Sequence, residues 1–170
     1  MSTRCQIRWE EEYEFENEEG KREIVKNIAQ IYRHWDGYPD SVLGVISDLK
    51  KFLDWYEGEP MPRRGDISYA CADFIYFMKK RYAERNADNP YAKGWEKLGY
   101  GVENPNDGIH GDEQYLYIIT YKDGKWHIKV SGQWSDDDTE KAFDKAEWEF
   151  EGTLDEAYEK YVVENAEEDD

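Results

Sequence analysis

The sequence predicts a single α+β domain: a mainly antiparallel sheet of four to five strands, with two main helices on one face and a C-terminal helix. Three observations carry that expectation. Segments with the two-residue alternation of strands stand at both ends of the chain, segments of helical period lie between them, and 170 residues suit one core better than two. The domain is expected over residues 1–163, with residues 10–23 as an acidic connection inside it and 164–170 as a disordered acidic tail.

From Thr3 to Trp9 the apolar Cys5, Ile7 and Trp9 alternate with Arg4, Gln6 and Arg8, the pattern of a half-buried strand. The Glu-rich stretch that follows has only Tyr13 and Phe15 as apolar members before Glu23, and reads as either a ragged hairpin arm or a mobile loop. Ile24 to His34 is a second strand, with Ile28, Gln30, Tyr32 and His34 on one face and Ala29, Ile31 and Arg33 on the other. After Pro39 the period changes. Val42, Leu43, Val45, Ile46, Leu49, Phe52, Leu53 and Tyr56 recur at three and four, with Asp40 or Ser41 to cap the start and Gly58 to stop it. Asp66 caps a second helix marked by Ile67, Cys71, Phe74, Ile75, Met78 and Tyr82. Its end carries Lys79, Lys80, Arg81 and Arg85, which complement the helix dipole and form the one concentrated basic patch.

Residues 87–113 are rich in Gly, Pro and Asn, with room for a short helix or strand between Trp95 and Val102. A hairpin follows: Gln114 to Tyr121, the Asp123-Gly124 turn, then Lys125 to Ser131. Ala146 to Glu151 alternates Trp148 and Phe150 with acids as a further strand, and Thr153 with Glu156 makes a capping box for a last helix through Tyr161.

Charge is unevenly placed. The chain carries minus 18 overall; residues 10–23 hold minus 6, residues 136–170 hold minus 13, and the remaining 121 residues are net plus 1. Such a field repels nucleic acid and membranes and attracts a basic protein surface. No apolar run approaches the roughly 18 residues of a membrane span, and the first residues lack a secretory signal, so a cytoplasmic protein is expected. Cys5 and Cys71 suit buried, reduced thiols. With a 16% aromatic share, rings must supply much of the core.

The densest chemistry lies in Tyr32 to Pro39, Y-R-H-W-D-G-Y-P. A chain reversal needs Asp36, Gly37 and Pro39 and little else. Arg33 adds a planar fork for phosphate or carboxylate, His34 a group that can titrate near neutrality, and Trp35, Tyr38 and the distant Trp95 faces for stacking. Arg4 or Arg8 could add a second cation from the neighbouring strand. The candidate ligand residues are therefore Arg4, Tyr32, Arg33, His34, Trp35, Asp36 and Tyr38, and the ligand they suit is a nucleotide-like anion. The competing explanation is a structural turn in which Asp36 caps the next helix and Arg33 pairs with an acid.

The opening S-T-R-C-Q-I, the string Y-R-H-W-D-G-Y-P-D and the helix ending L-K-K-F-L-D-W together resemble a family of small uncharacterised phage, prophage, bacterial and archaeal proteins, over about the first third of the chain. The resemblance implies a mobile-element origin and an accessory or counter-defence role, and supplies no catalytic residue to carry over.

Other chemistries find little support. His34 and Asp36 with Asp107, His110 and Asp112 are the one conceivable metal set, without a metal-binding spacing, and no metal or cofactor is expected. No G-x-S-x-G or glycine-rich phosphate loop occurs. The leading expectation is a non-enzymatic accessory protein that binds a basic host protein through an acidic, nucleic-acid-like surface centred on Asp136, Asp137, Asp138, Glu147 and Glu149. The alternative is binding, or weak hydrolysis, of a small nucleotide-like ligand at the Tyr32 to Pro39 loop.

Overall fold

Strand β1 (Cys5–Glu16) is the spine of the molecule, paired on both sides and buried on both faces where it crosses the core. The computed structural model describes residues 3–62, 66–105, 114–132 and 142–168. On one side β1 runs antiparallel to β2 (Arg22–Arg33), in a register that sets Cys5 opposite Arg33 and Glu16 opposite Arg22. Helices α1 (Val45–Gly58) and α2 (Ile67–Arg85) follow, then the short strand β3 (Tyr100–Glu103) on the outer edge of β2. The hairpin of β4 (Tyr115–Lys122) and β5 (Lys125–Ser131), the single helical turn α3 (Ala142–Lys145) and β6 (Trp148–Thr153) complete a six-stranded sheet in the order β3-β2-β1-β4-β5-β6. Helix α4 (Leu154–Tyr158) leads into a π-helical turn (Glu159–Glu164) and a last helical turn, α5 (Asn165–Glu168).

The sheet is mixed and has six strands, where a mainly antiparallel sheet of four or five was expected. β4 lies parallel to β1, Cys5 beside Tyr115 and Trp9 beside Ile119. Alternation reports which residues are buried and not which way a neighbour runs, so strand direction was hidden. The sixth strand, β3, pairs only with β2, and its Val102 is 79% exposed, so it lacks a buried alternating face.

Residues 10–23 connect the first two strands as paired strand and turn. β1 and β2 continue past the ends of their outer neighbours as a two-stranded arm, closed by a turn in which the Asn17 side chain accepts from the Glu19 and Lys21 amides at 3.0 and 2.9 Å. Gly20, at φ 76°, supplies the left-handed step that the turn requires. Glu10, Glu12, Glu14 and Glu16 share one face of the arm, where Glu14 meets Arg22 at 3.6 Å and Glu10 meets Lys26 at 3.5 Å. Tyr13, Phe15 and Val25 share the other. The hairpin-arm reading of this stretch is the one realised, and the helical turns continue through Glu168, inside the span that composition assigns to a tail.

The core lies between the sheet and helices α1, α2 and α4. Its centre is a cluster of rings: Trp9 packs against Phe52, Phe74 and Trp126 at centroid distances of 6.2, 5.7 and 6.0 Å. Geometries of this kind add to the area buried. Cys71 joins this core, and burial pushes its thiol up to about 12, as expected of an inert apolar thiol. The opposite face of the sheet carries a smaller cluster of Leu116, Ile118, Ala142 and Phe143, so α3 covers a face that was expected to be bare of helix. Arg8 closes this layer, its guanidinium 3.9 Å above the Phe143 ring and its Nε donating to Gln30 Oε1 at 2.9 Å.

Helix α2 starts where expected, with the Asp66 side chain accepting from the Ser68 amide. Helix α1 does not. Its N-cap is Gly44, with no side-chain cap, and Asp40 and Ser41 belong to a preceding turn in which Ser41 Oγ accepts from the Leu43 amide at 3.2 Å. Val42 and Leu43 therefore drop out of the core stripe and are 61% and 55% exposed. The capping box at Thr153 is present in full, with Thr153 Oγ1 accepting from the Glu156 amide while the Glu156 carboxylate accepts in return. These bonds hold the Glu156 carboxyl below its ordinary value.

Candidate functional site

The chemistry of the Tyr32 to Pro39 loop is split between the two faces of the sheet, because successive residues of a strand point opposite ways. Arg33 shares the core face with Cys5 and Ile31, whereas Tyr32 and His34 lie on the other side, joined by a 2.7 Å bond between the Tyr32 hydroxyl and His34 Nδ1. Burial, aided by the charge of Arg4, lowers the His34 imidazole from its ordinary value. Arg4, Tyr32 and His34 thus form one group and Arg33, Trp35 and Asp36 another. Arg8, bound into the Phe143 layer, serves neither.

The second group lines a cavity of about 530 Å³ between the end of β2, the α1 turn, the C-terminal half of α2 and the segment before β3. That volume is within the range of small-molecule sites, roughly 300–1,000 Å³. On its floor Arg33 is 4% exposed and Asp48 6%, with Nη2 to Oδ2 at 2.8 Å. Arg33 also donates from Nε to the Trp35 carbonyl at 2.7 Å and from Nη2 to the Leu43 carbonyl at 3.1 Å, so one guanidinium ties together strand end, turn and helix start. Burial alone would lower Arg33, but the neighbouring Tyr100, Asp48 and Cys5 outweigh it and hold the group cationic. Its Nη1 is buried, and the guanidinium lies close enough to the Tyr100 hydroxyl to act on it. Burial also pushes the Tyr100 hydroxyl up, against the pull of Arg33.

One wall is aromatic. Trp35 stacks on Tyr82 at 5.8 Å and 14°, and on Trp95 at 6.4 Å and 26°. Gly99 sits against this stack: a Cβ there would come 3.3 Å from the Trp35 ring, so the backbone approaches where a side chain would crowd the indole. Trp95 is 49% exposed, at the rim. Met78 and Tyr100 form apolar walls, and Val42 and Leu43, displaced from the helix, form a lip. Lys51, Lys79, Arg85, Asn86 and Glu96 complete the lining, and among the described residues none of the three cations is in an ion pair. Asp36, with φ 52°, holds the corner and accepts from the Tyr38 hydroxyl at 2.9 Å, a bond that together with burial raises that phenol. It does not cap α1.

Sequence reasoning identified Arg33, Trp35, Asp36 and Trp95 but missed Lys51, Tyr82 and the lip. Met78, Lys79, Tyr82 and Arg85 follow one another at helical spacing, so the stripe of α2 continues past the core as a mixed aromatic and basic face. That continuation was the legible signal. Of the proposed acidic surface, Asp136, Asp137 and Asp138 lie outside the described residues, as do Asp107, His110 and Asp112 of the conceivable metal set. Glu147 and Glu149 are exposed, with Glu149 Oε1 accepting from the Tyr161 hydroxyl at 3.3 Å. Among the described residues no group of three or more His, Cys, Asp or Glu side chains is arranged to hold a metal. No helix among them is long and apolar enough to cross a membrane.

No protein-family model matches the sequence, and no curated protein or solved structure matches it.

Proposed function

We propose that the protein binds a small, anionic, ring-bearing molecule of nucleotide-like chemistry in the cavity at the end of β2. The observation that carries this reading is the conjunction, around one cavity, of a stacked aromatic wall with Lys51, Lys79 and Arg85, none of them in an ion pair among the described residues, in a protein of charge minus 18. A cluster of cations outnumbering the carboxylates around one cavity, in a strongly acidic molecule, favours an anion there, and an indole at the rim offers a face on which a planar ring can stack. Binding of this kind requires no catalytic group and suits a sequestering, non-enzymatic role.

Trp95→Ala tests the reading, because that ring is half outside the core. Its loss is expected to cost stability only about 0.5–1.5 kcal/mol from the stack, and to weaken binding of a nucleotide by about 1–3 kcal/mol. Both are measurable by calorimetric titration and chemical denaturation. Unchanged affinity for a nucleotide that does bind would remove the aromatic wall from the account.

The projecting β1–β2 arm supports a second reading, the accessory protein that docks on a basic host protein. It adds Glu10, Glu12, Glu14 and Glu16 on one face, and Tyr13 and Phe15, 48% and 41% exposed, on the other. Pull-down from host lysate at increasing salt tests it. Loss of a basic partner on charge reversal at Asp136, Asp137, Asp138, Glu147 and Glu149, but not at the arm, would locate the surface in the C-terminal third; retention in both variants would dispose of charge mimicry.

A further inference from the structure

Resting on the pocket reading, we infer that the occupant is a nucleoside phosphate bound base-inward: the ring enters past Trp35 over the apolar Met78 and Tyr100, while the phosphates stay at the mouth on Lys51, Lys79 and Arg85. The direction follows from the charges. A lone buried arginine would draw the phosphate to the floor. Here the guanidinium is already paired with Asp48 at 2.8 Å, and Asp48 itself lines the cavity, so a phosphate carried inward would be pressed against a buried carboxylate. Where little water screens it, that repulsion is strong.

What Arg33 presents is a buried guanidinium already committed to Asp48 and to the Trp35 and Leu43 carbonyls, so the floor is close to neutral and has little to offer a phosphate. Met78 and Tyr100 beside it suit the body of a planar ring. The mouth has the opposite character. Lys51 is exposed on α1 and Arg85 on α2, with Lys79 half-buried between core and solvent; among the described residues none of the three is in an ion pair, while the Lys51 charge acts on Asp48 and Glu96 shares the lining. Flexible, hydrated cations at a rim hold phosphate through charge and give up little desolvation to do so. The site is thus polarised, with a paired and apolar interior and its exposed cations at the mouth.

The experiment titrates the full chain and a Lys51→Ala/Lys79→Ala/Arg85→Ala variant with the common nucleosides, their 5′-mono- and triphosphates, and inorganic triphosphate. At low salt a 5′-phosphate is expected to bind at least about tenfold more tightly than its nucleoside, in proportion to the added charge-assisted contacts. The triple variant is expected to bring the nucleotide down to the nucleoside's affinity while leaving the nucleoside within about threefold, an outcome a folding defect would not produce. Inorganic triphosphate binding as tightly as the nucleotide, and keeping its affinity in the triple variant, would place phosphate on Arg33 and overturn the base-inward orientation while leaving a ligand pocket. Binding of none of these compounds would overturn the orientation and the pocket reading together.

Discussion

Arg33→Ala is expected to lower stability by about 3–5 kcal/mol, the cost of leaving a buried carboxylate without its partner. Asp48 is 6% exposed, and burial already pushes its carboxyl above the ordinary value against the pull of Arg33. The substitution also removes donors from the Trp35 and Leu43 carbonyls, so strand end, turn and helix lose a common tie. Denaturant unfolding reads the loss as a shift in midpoint at constant slope. The informative control is Arg33→Met with Asp48→Leu. Removing both charges together is expected to restore much of the stability, since a buried ion pair often does little better than well-packed apolar groups. If the double variant is as unstable as Arg33→Ala, the bonds to the two carbonyls hold the loop and the ion pair is secondary.

Gly44→Ala is expected to be the other severe change, at about 1–3 kcal/mol for an overpacked site. A Cβ at this position would lie 2.2 Å from the Asp40 carbonyl oxygen and 2.6 Å from that of Tyr38, both backbone atoms that cannot swing aside. The Tyr38 carbonyl already accepts from the Val45 amide at 3.0 Å to start α1. Opening the turn would therefore shift the helix start together with the Val42 and Leu43 lip, and affinity for the pocket ligand is expected to fall along with stability. Gly58→Ala in the same helix is the matched control: nothing lies within 4 Å of its added Cβ, so it is expected to be neutral or stabilising by about 0.5–1 kcal/mol through helix propensity. Equal destabilisation by both would mean that the tightness of the Tyr38 to Gly44 turn is not what positions α1.

The turn shows where sequence reading stops. Val42 and Leu43 continue the three-four spacing of Val45, Ile46, Leu49 and Phe52, so periodicity alone enrols them in the helix. What excludes them is local backbone conformation: Ser41 at φ 70° ends the preceding turn, and Gly44 alone has room beside two carbonyls. The ends of the hairpin and the caps of α2 and α4 were legible because their signals are local, Asp123-Gly124 in a tight turn, Asp66 before an apolar stripe, Thr153 three residues from Glu156. The parallel pairing of β1 with β4 was not, being a contact between segments about a hundred residues apart that leaves no mark on either.

The candidate site divides the same way. That the Tyr32 to Pro39 loop borders a cavity was readable from its crowding of cationic and aromatic groups, and alternation already set Tyr32 and His34 on the face away from Arg33; that Arg4 joins them follows only from register. The ordinary structural explanation of Arg33 holds, since it does pair with an acid. Lys79 and Arg85 read equally well as helix-end cations that complement the macrodipole. Only the fold places them on the cavity and turns Lys80 and Arg81 elsewhere, to Glu84 at 3.9 Å and over Phe77 at 5.3 Å.

The most direct test of the pocket is native mass spectrometry of the full chain recovered from cells that naturally make it, sprayed at low salt beside Trp95→Ala from the same cells. The account predicts a discrete added mass matching a phosphorylated, ring-bearing small molecule, present on the natural chain and diminished or absent on the variant. A natural chain that arrives bare, and stays bare when nucleotides are added in excess, would contradict it.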